Sequence, residues 1–174
     1  MKRTMLLFAI AVIMASCNNE KKEGADKKET PSSAMESKQE RNKKIIMASM
    51  DAVGKGDVDG IVKDAGAKFT DYGDGSMPAI TNIDSLKGML KMLTTSIEGY
   101  KPENPMVFAD GDYVIVYADW TGVFKNDFMG IKATGKPVKM KDTDIFKLSD
   151  DGKVIEHRNT LNLAAVLMMP ANMK

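Results

Sequence analysis

Two acidic residues, a histidine and an amide in the C-terminal part of the chain are the groups whose types and spacing could do chemistry. From Pro137 to Leu148 one parity reads Val138, Met140, Asp142, Asp144, Phe146, Leu148, and the other reads Lys139, Lys141, Thr143, Ile145, Lys147. Side chains in a strand alternate with period two, so the lysine face is wet and both carboxylates point with the apolar set. Ser149-Asp150-Asp151-Gly152 supplies the Asp-Gly chemistry of a hairpin turn, and beyond it Ile155, His157, Asn159 and Leu161 share a parity. Paired as a hairpin, the two strands would bring Asp142, Asp144, His157 and Asn159 into one mostly apolar space. An unpaired charge there is unfavourable, so each carboxylate must be hydrogen-bonded, paired with a cation or raised in pKa. A raised carboxylate, Asp144 first, could shuttle a proton near neutral pH with His157, the only histidine, as its oriented partner. Each group also has a plain structural alternative: capping a turn, bonding a backbone, or holding the sheet together. The lone histidine and the absence of a ligand pair at helical spacing argue against a metal site, and no phosphate-cradling glycine loop, dinucleotide fingerprint or nucleophile elbow is present, so no cofactor is expected.

The elements that must position these groups follow in chain order. Met1 to Ser16 has a basic start, Lys2 and Arg3, and an apolar run from Met5 to Ala15, the pattern of a secretory signal. Met14-Ala15-Ser16-Cys17 resembles a bacterial lipobox, which makes Cys17, the only cysteine, the expected lipidated residue of an envelope protein anchored to a bacterial membrane, the outer one by preference. Residues 17–40 are rich in Lys, Glu, Ser, Asp and Gly and nearly free of large apolar side chains, so they read as a disordered tether. With 25 Lys+Arg against 24 Asp+Glu and no basic stripe interleaved with aromatics, nucleic acid is not an expected partner.

Residues 41–174 are of a size for one domain. Ile45, Ile46, Ser49, Met50 and Val53 predict a helix stopped by Gly54 and Gly56, and Asp57 caps a shorter helix carrying Val58, Ile61, Val62 and Ala65. Phe69 to Gly75, including Tyr72, predicts a short strand and turn, and a helix from near Asp84 carries Leu86, Met89, Leu90, Leu93 and Ile97 up to a turn over Pro102–Pro105. Strands are predicted over Met106–Phe108 and Tyr113–Lys125, the latter with Val114, Val116, Ala118, Trp120 and Phe124 on its more apolar parity. Helices first and strands afterwards give an α+β class.

The order F-M-G-I-x-x-T-G-K-P-V-K, then D-I-F-K, D-G-K-V-I-E-H and L-N-L-A-A-V-L resembles the SnoaL-like, polyketide-cyclase-like branch of the NTF2-like superfamily. The resemblance implies a cone in which N-terminal helices pack on a curved antiparallel sheet, one face lining a cavity and the other often covered by a second subunit. Catalytic members commonly continue Glu-His-Trp into an acid/base Asp; here the chain reads Glu156-His157-Arg158-Asn159, then Asn162, and an amide cannot exchange a proton. A family Thr-His-Thr-Gly pattern is replaced by Gly122-Val123-Phe124-Lys125, which makes the cavity more apolar.

Two functions fit. The first, favoured by those replacements, is an anchored envelope lipoprotein whose pocket binds a small apolar molecule between Tyr72, Trp120, Phe124, Phe146, Asp142, Asn159 and Asn162, with some of the 15 methionines as adaptable lining. The second is a lyase or isomerase of cyclase type acting through Asp144 and His157 on a carbonyl-containing substrate. A homodimer through an outer sheet face bearing Trp and Tyr is expected in either case.

Overall fold

The computed structural model describes residues 31–169, so the leader, Cys17 and residues up to 30 lie outside the described residues. The first helix, α1 (Pro31–Lys55), buries Asn42, Ile46, Met50 and Val53, a stripe at the spacing of one helix face. It ends where Gly56, at φ +65°, turns the chain back so that its N–H reaches Val53 O and that of Asp57 reaches Ala52 O. Its first ten residues, 31–40, were assigned above to the tether. Lys38 explains the difference: its ammonium lies 2.6 Å from both Asp112 Oδ1 and Asp150 Oδ1, while Arg41 Nη1 donates to Asp150 O at 2.8 Å. Tertiary partners on two hairpin turns thus hold a polar stretch in helical form that its composition alone would leave unfolded.

Asp57 caps α2 (Val58–Ile61) by accepting from Gly60 N, and Ala65, assigned to that helix from sequence, instead opens β1 (Ala65–Asp71). Asn82 caps α3 (Ile83–Ser96), accepting from Asp84 N and Ser85 N. Ile97 is not the last residue of the helical stripe; it begins β2 (Ile97–Asp110), which continues through the Pro102–Pro105 segment expected to be a turn. Gly99 at φ +66° and Asn104 at φ +49° absorb the two register shifts of that strand as bulges, which is how two prolines fit within a strand at the sheet edge. β3 (Tyr113–Phe124), β4 (Pro137–Leu148) and β5 (Val154–Asn159) follow, and Asn162 caps the short α4 (Leu163–Met168) by accepting from Ala165 N.

The five strands lie in the order β1-β5-β4-β3-β2, antiparallel except for the parallel β1/β5 pair. The alternation read in β4 holds throughout: Val138, Met140, Asp142, Asp144, Phe146 and Leu148 are buried, and the lysines face out. On β3, Trp120 is buried with the inner set, so it is not part of the outer face; that face presents Phe108, Tyr113 and Ile115. In β5 the register skips Ile155 between Glu156 and Val154, a bulge that puts Val154 on the inner side in place of Ile155. Helices α1 and α3 cover the inner side of the sheet, and the space left between the layers is the cavity.

Candidate active site

The cavity measures about 280 Å³. Met50 and Val53 of α1 and Leu86, Met89, Leu90 and Leu93 of α3 form its apolar wall; Trp120, Asp142, Asp144, Phe146, His157 and Asn159 form its sheet wall. Tyr72, Met77, Met129 and Asn162 also line it, and the exposure of Met77 and Met129 marks where it opens. Tyr72 is held there under the guanidinium of Arg158, 3.7 Å above its ring. Phe124 is fully buried but does not line the cavity, so that expected pocket residue belongs to the core.

The polar centre comes from three strands. Phe146 of β4 sits opposite His157 of β5, and Asp71 of β1 is His157's register partner on the other side. The imidazole is therefore bonded at both ends: Nδ1 lies 3.0 Å from Asp71 Oδ1, and Nε2 lies 3.2 Å from Asp144 Oδ1. Phe146 stacks on the ring with centroids 4.7 Å apart. Burial by itself pushes the histidine pKa down, but the two carboxylates outweigh it and hold the imidazole at about 10, so the ring is an imidazolium at neutral pH. Burial pushes Asp71 up, yet the hydrogen bond and charge of His157, with the N–H of Gly73 at 2.8 Å, leave its carboxyl below the usual range. For Asp144 burial wins over His157, and the charges of Asp142 and Asp71 push the same way, so its carboxyl is raised. Two carboxylates on one imidazole thus have opposite characters: Asp71 is the fixed anion that orients and charges the ring, and Asp144 is the group with proton affinity to spare. Asp144 Oδ2 is buried without a hydrogen-bond partner.

Asp142, grouped with these residues from the sequence, does a different job. Its Oδ1 accepts from Thr143 N at 2.7 Å, Leu161 N at 2.9 Å and both Thr160 N and Oγ1 at 3.0 Å, and its Oδ2 accepts from Asn159 Nδ2 at 3.2 Å. With four donors on one oxygen and one on the other, it ties β4 to the end of β5. Asn159 Nδ2 donates to Leu161 O as well, at 2.8 Å, and Asn162 is spent on the α4 cap. The amides therefore order the backbone at the cavity mouth.

Two lining residues escape a sequence reading. Asp71 was visible only as an acid before a glycine turn, and nothing local announces a parallel pairing across 86 residues. Tyr100 sits where a helix was expected to give way to a turn; it stacks on Trp120 with centroids 4.8 Å apart, and both rings line the cavity.

The sequence profile of the SnoaL-like polyketide cyclase family matches residues 44–168, most of the chain. The chain belongs to that family. Among solved structures, this SnoaL-like domain is similar to a candidate SnoaL-like polyketide cyclase from Jannaschia sp. CCS1, with 24% identity over 84% of this chain and 100% of that one and a TM-score of 0.67. AclR from Streptomyces galilaeus, a candidate hydroxylase, shares 21% identity over 76% of this chain and 99% of that one at a TM-score of 0.64. A candidate polyketide cyclase from Xanthomonas campestris pv. campestris shares 18% over 75% and 98% at 0.67. At these identities the likeness shows the NTF2-like cone of the SnoaL-like fold alone, a fold that hosts more than one chemistry. The sequence matches no curated protein.

Proposed function

We propose that this SnoaL-like domain is an acid/base catalyst of cyclase or isomerase type, moving a proton at the carbon beside a carbonyl in a small, largely apolar substrate. The observation that carries the reading is Asp144: a buried carboxyl in an apolar cavity, raised in pKa, with one oxygen on the imidazolium and the other unpaired. Asp144 takes the α-proton, the C–H electron pair moves into a C=C bond, and the carbonyl π pair becomes a lone pair on the oxygen of the enolate. The proton then returns to a different atom, or the enolate carbon attacks a second carbonyl of the same molecule, whose oxygen takes the proton. His157, charged and bonded to Asp144, holds the carboxyl in place and stabilises its anionic form between steps.

Binding without catalysis is the second reading, favoured by Asn159 at the position where catalytic relatives are expected to carry an acid. The two are separated with 2-acetylnaphthalene, an apolar ketone with exchangeable α-hydrogens. Trp120 is the only tryptophan, so its fluorescence reports cavity occupancy, and α-deuteration in D2O reports proton transfer. Catalysis requires exchange above the buffer rate that falls about 100-fold to 10,000-fold in Asp144→Asn. Saturable quenching of Trp120 with exchange at the buffer rate, or no quenching at all, overturns it.

We propose also that lipidation of Cys17 anchors the domain to a membrane and that two copies meet through the outer sheet face. The lipobox-like residues support the first, and the exposed Phe108, Tyr113 and Ile115 support the second.

A further inference from the structure

Strand β2 carries an irregularity with a purpose. Ile97 points inward and is fully buried, so in a regular strand Gly99 would follow it inward and Tyr100 would face out. Instead the register with β3 shifts between Glu98 and Lys101, with Gly99 at φ +66°, and the extra residue turns Tyr100 into the cavity. The facing residue on β3 is Gly122, where an added Cβ would lie 2.5 Å from Ile97 Cγ2, 3.1 Å from Glu98 O and 3.3 Å from Tyr100 Cα. A glycine on one strand and a bulge on the other are both used to bring one phenol to this wall.

Beside it, Trp120 Nε1 is buried without a hydrogen-bond partner, although an indole N–H is a donor only and buried donors are normally paired. The two rings stack at 20° between planes, which fixes the two donors relative to each other. Among the described residues the Tyr100 hydroxyl has no hydrogen-bond partner, and burial followed by the charges of Asp144 and Asp142 raises its pKa, so it keeps its proton at neutral pH. Resting on the proton-transfer reading above, we propose that Tyr100 Oη and Trp120 Nε1 are the donors that seat the substrate's carbonyl oxygen and take up the negative charge of the enolate while Asp144 holds the proton. The same wall selects among oxygen acceptors. Asp71 and Asp144 bracket a single imidazolium and the charge of Asp142 is felt at both Asp144 and Tyr100, so even with Asp144 protonated these four groups are net negative, and a carboxylate is repelled where a neutral ketone or aldehyde is accepted.

The test uses 2-acetylnaphthalene carrying 13C at the carbonyl, with 2-naphthoate as the anionic counterpart. In the wild type the bound carbonyl stretch lies below its position in hydrocarbon solvent, and 2-naphthoate does not compete. Tyr100→Phe, which keeps the ring stack, should move the stretch back up and lower α-exchange by about 100-fold to 1,000-fold, the loss typical of one oxyanion donor; Trp120→Phe should move the stretch the same way. An unshifted carbonyl in the wild type, an unchanged stretch in both variants, or tight 2-naphthoate binding overturns the donor assignment even if Asp144-dependent exchange is present. A shifted carbonyl that depends on Tyr100, found with no exchange in the wild type, leaves the donors in place and removes the catalytic reading alone.

Discussion

Raising the pH from 7 to 9 should destabilise this fold through one side chain. His157 has its pKa moved from 6.5 to about 10 in the folded state by the carboxylates at both ring nitrogens, whereas the unfolded chain returns it to its ordinary value. Its contribution is thus complete below about pH 6.5 and is lost as the pH climbs toward 10. Across that window the folded protein holds nearly one more proton than the unfolded chain, which gives a slope of about 1.4 kcal/mol per pH unit and a fall of about 2 to 3 kcal/mol between pH 7 and 9. Asp144, raised, acts in the same direction in the acidic range, where the folded state also keeps an extra proton above the usual carboxylate pKa. Asp71, lowered, acts oppositely and withdraws stability as the pH drops below that range, so the optimum lies on the mildly acidic side. Urea unfolding of the domain at pH 7, 8 and 9 measures the slope, and His157→Gln, which cannot carry the charge, should flatten it. A level wild-type profile, or an equal slope in His157→Gln, refutes the assignment of an imidazolium clamped between Asp71 and Asp144.

Asp142→Asn removes a charge that accepts five hydrogen bonds and leaves donors at Thr160 and Leu161 poorly paired, so it should lower stability by about 2 to 4 kcal/mol, read by urea unfolding at pH 7. Gly122→Ala forces a methyl against Ile97 and the β2 backbone and should destabilise by about 1 to 3 kcal/mol, with reduced quenching by 2-acetylnaphthalene because Tyr100 and Trp120 are displaced together; an unchanged midpoint and unchanged quenching would contradict the close packing. Cys17→Ser should abolish metabolic fatty-acid labelling and signal cleavage, and a labelled, cleaved variant refutes the anchor. The fragment beginning at residue 31 should run as a dimer in light scattering at micromolar concentration, and Phe108→Lys should return it to a monomer; a monomeric wild type refutes the outer-face contact.

Period-two alternation was enough to read β4 residue by residue, because each buried position there faces one wall and each lysine faces water. It failed at Ile155, where a bulge adds a residue and inverts the parity beyond it, and the two bulges of β2 kept that strand from being read as one element. The chemistry followed the same division. Asp144 and His157 share a hairpin, so a local pattern could pair them; Asp71 arrives from a strand far upstream through a parallel pairing that no local pattern records. Asp142 and Asp144 looked alike in sequence, and only the backbone N–H groups gathered at the end of β5 distinguish a fastened carboxylate from one with a free oxygen. Residues 31–40 were misassigned for a third reason: their helix depends on Asp112 and Asp150, which are remote in the chain.

The parallel pairing of β1 with β5 also sets an order of events in folding. Among the named strands β1 has no neighbour except β5, so the hairpins of β2 to β5 can form from contacts close in sequence, while β1 must wait for a loop of more than eighty residues to close. Asp71 and His157 are register partners in that last pairing. A chain stalled before it would have a nearly complete sheet in which His157 meets Asp144 alone, without the second carboxylate that Asp71 adds; the proton uptake completed by Asp71 is then a kinetic signature of closure. Stopped-flow refolding followed with a pH indicator at pH 8 would register the last part of the proton uptake in the slowest phase, well after most of the β-sheet circular dichroism has returned.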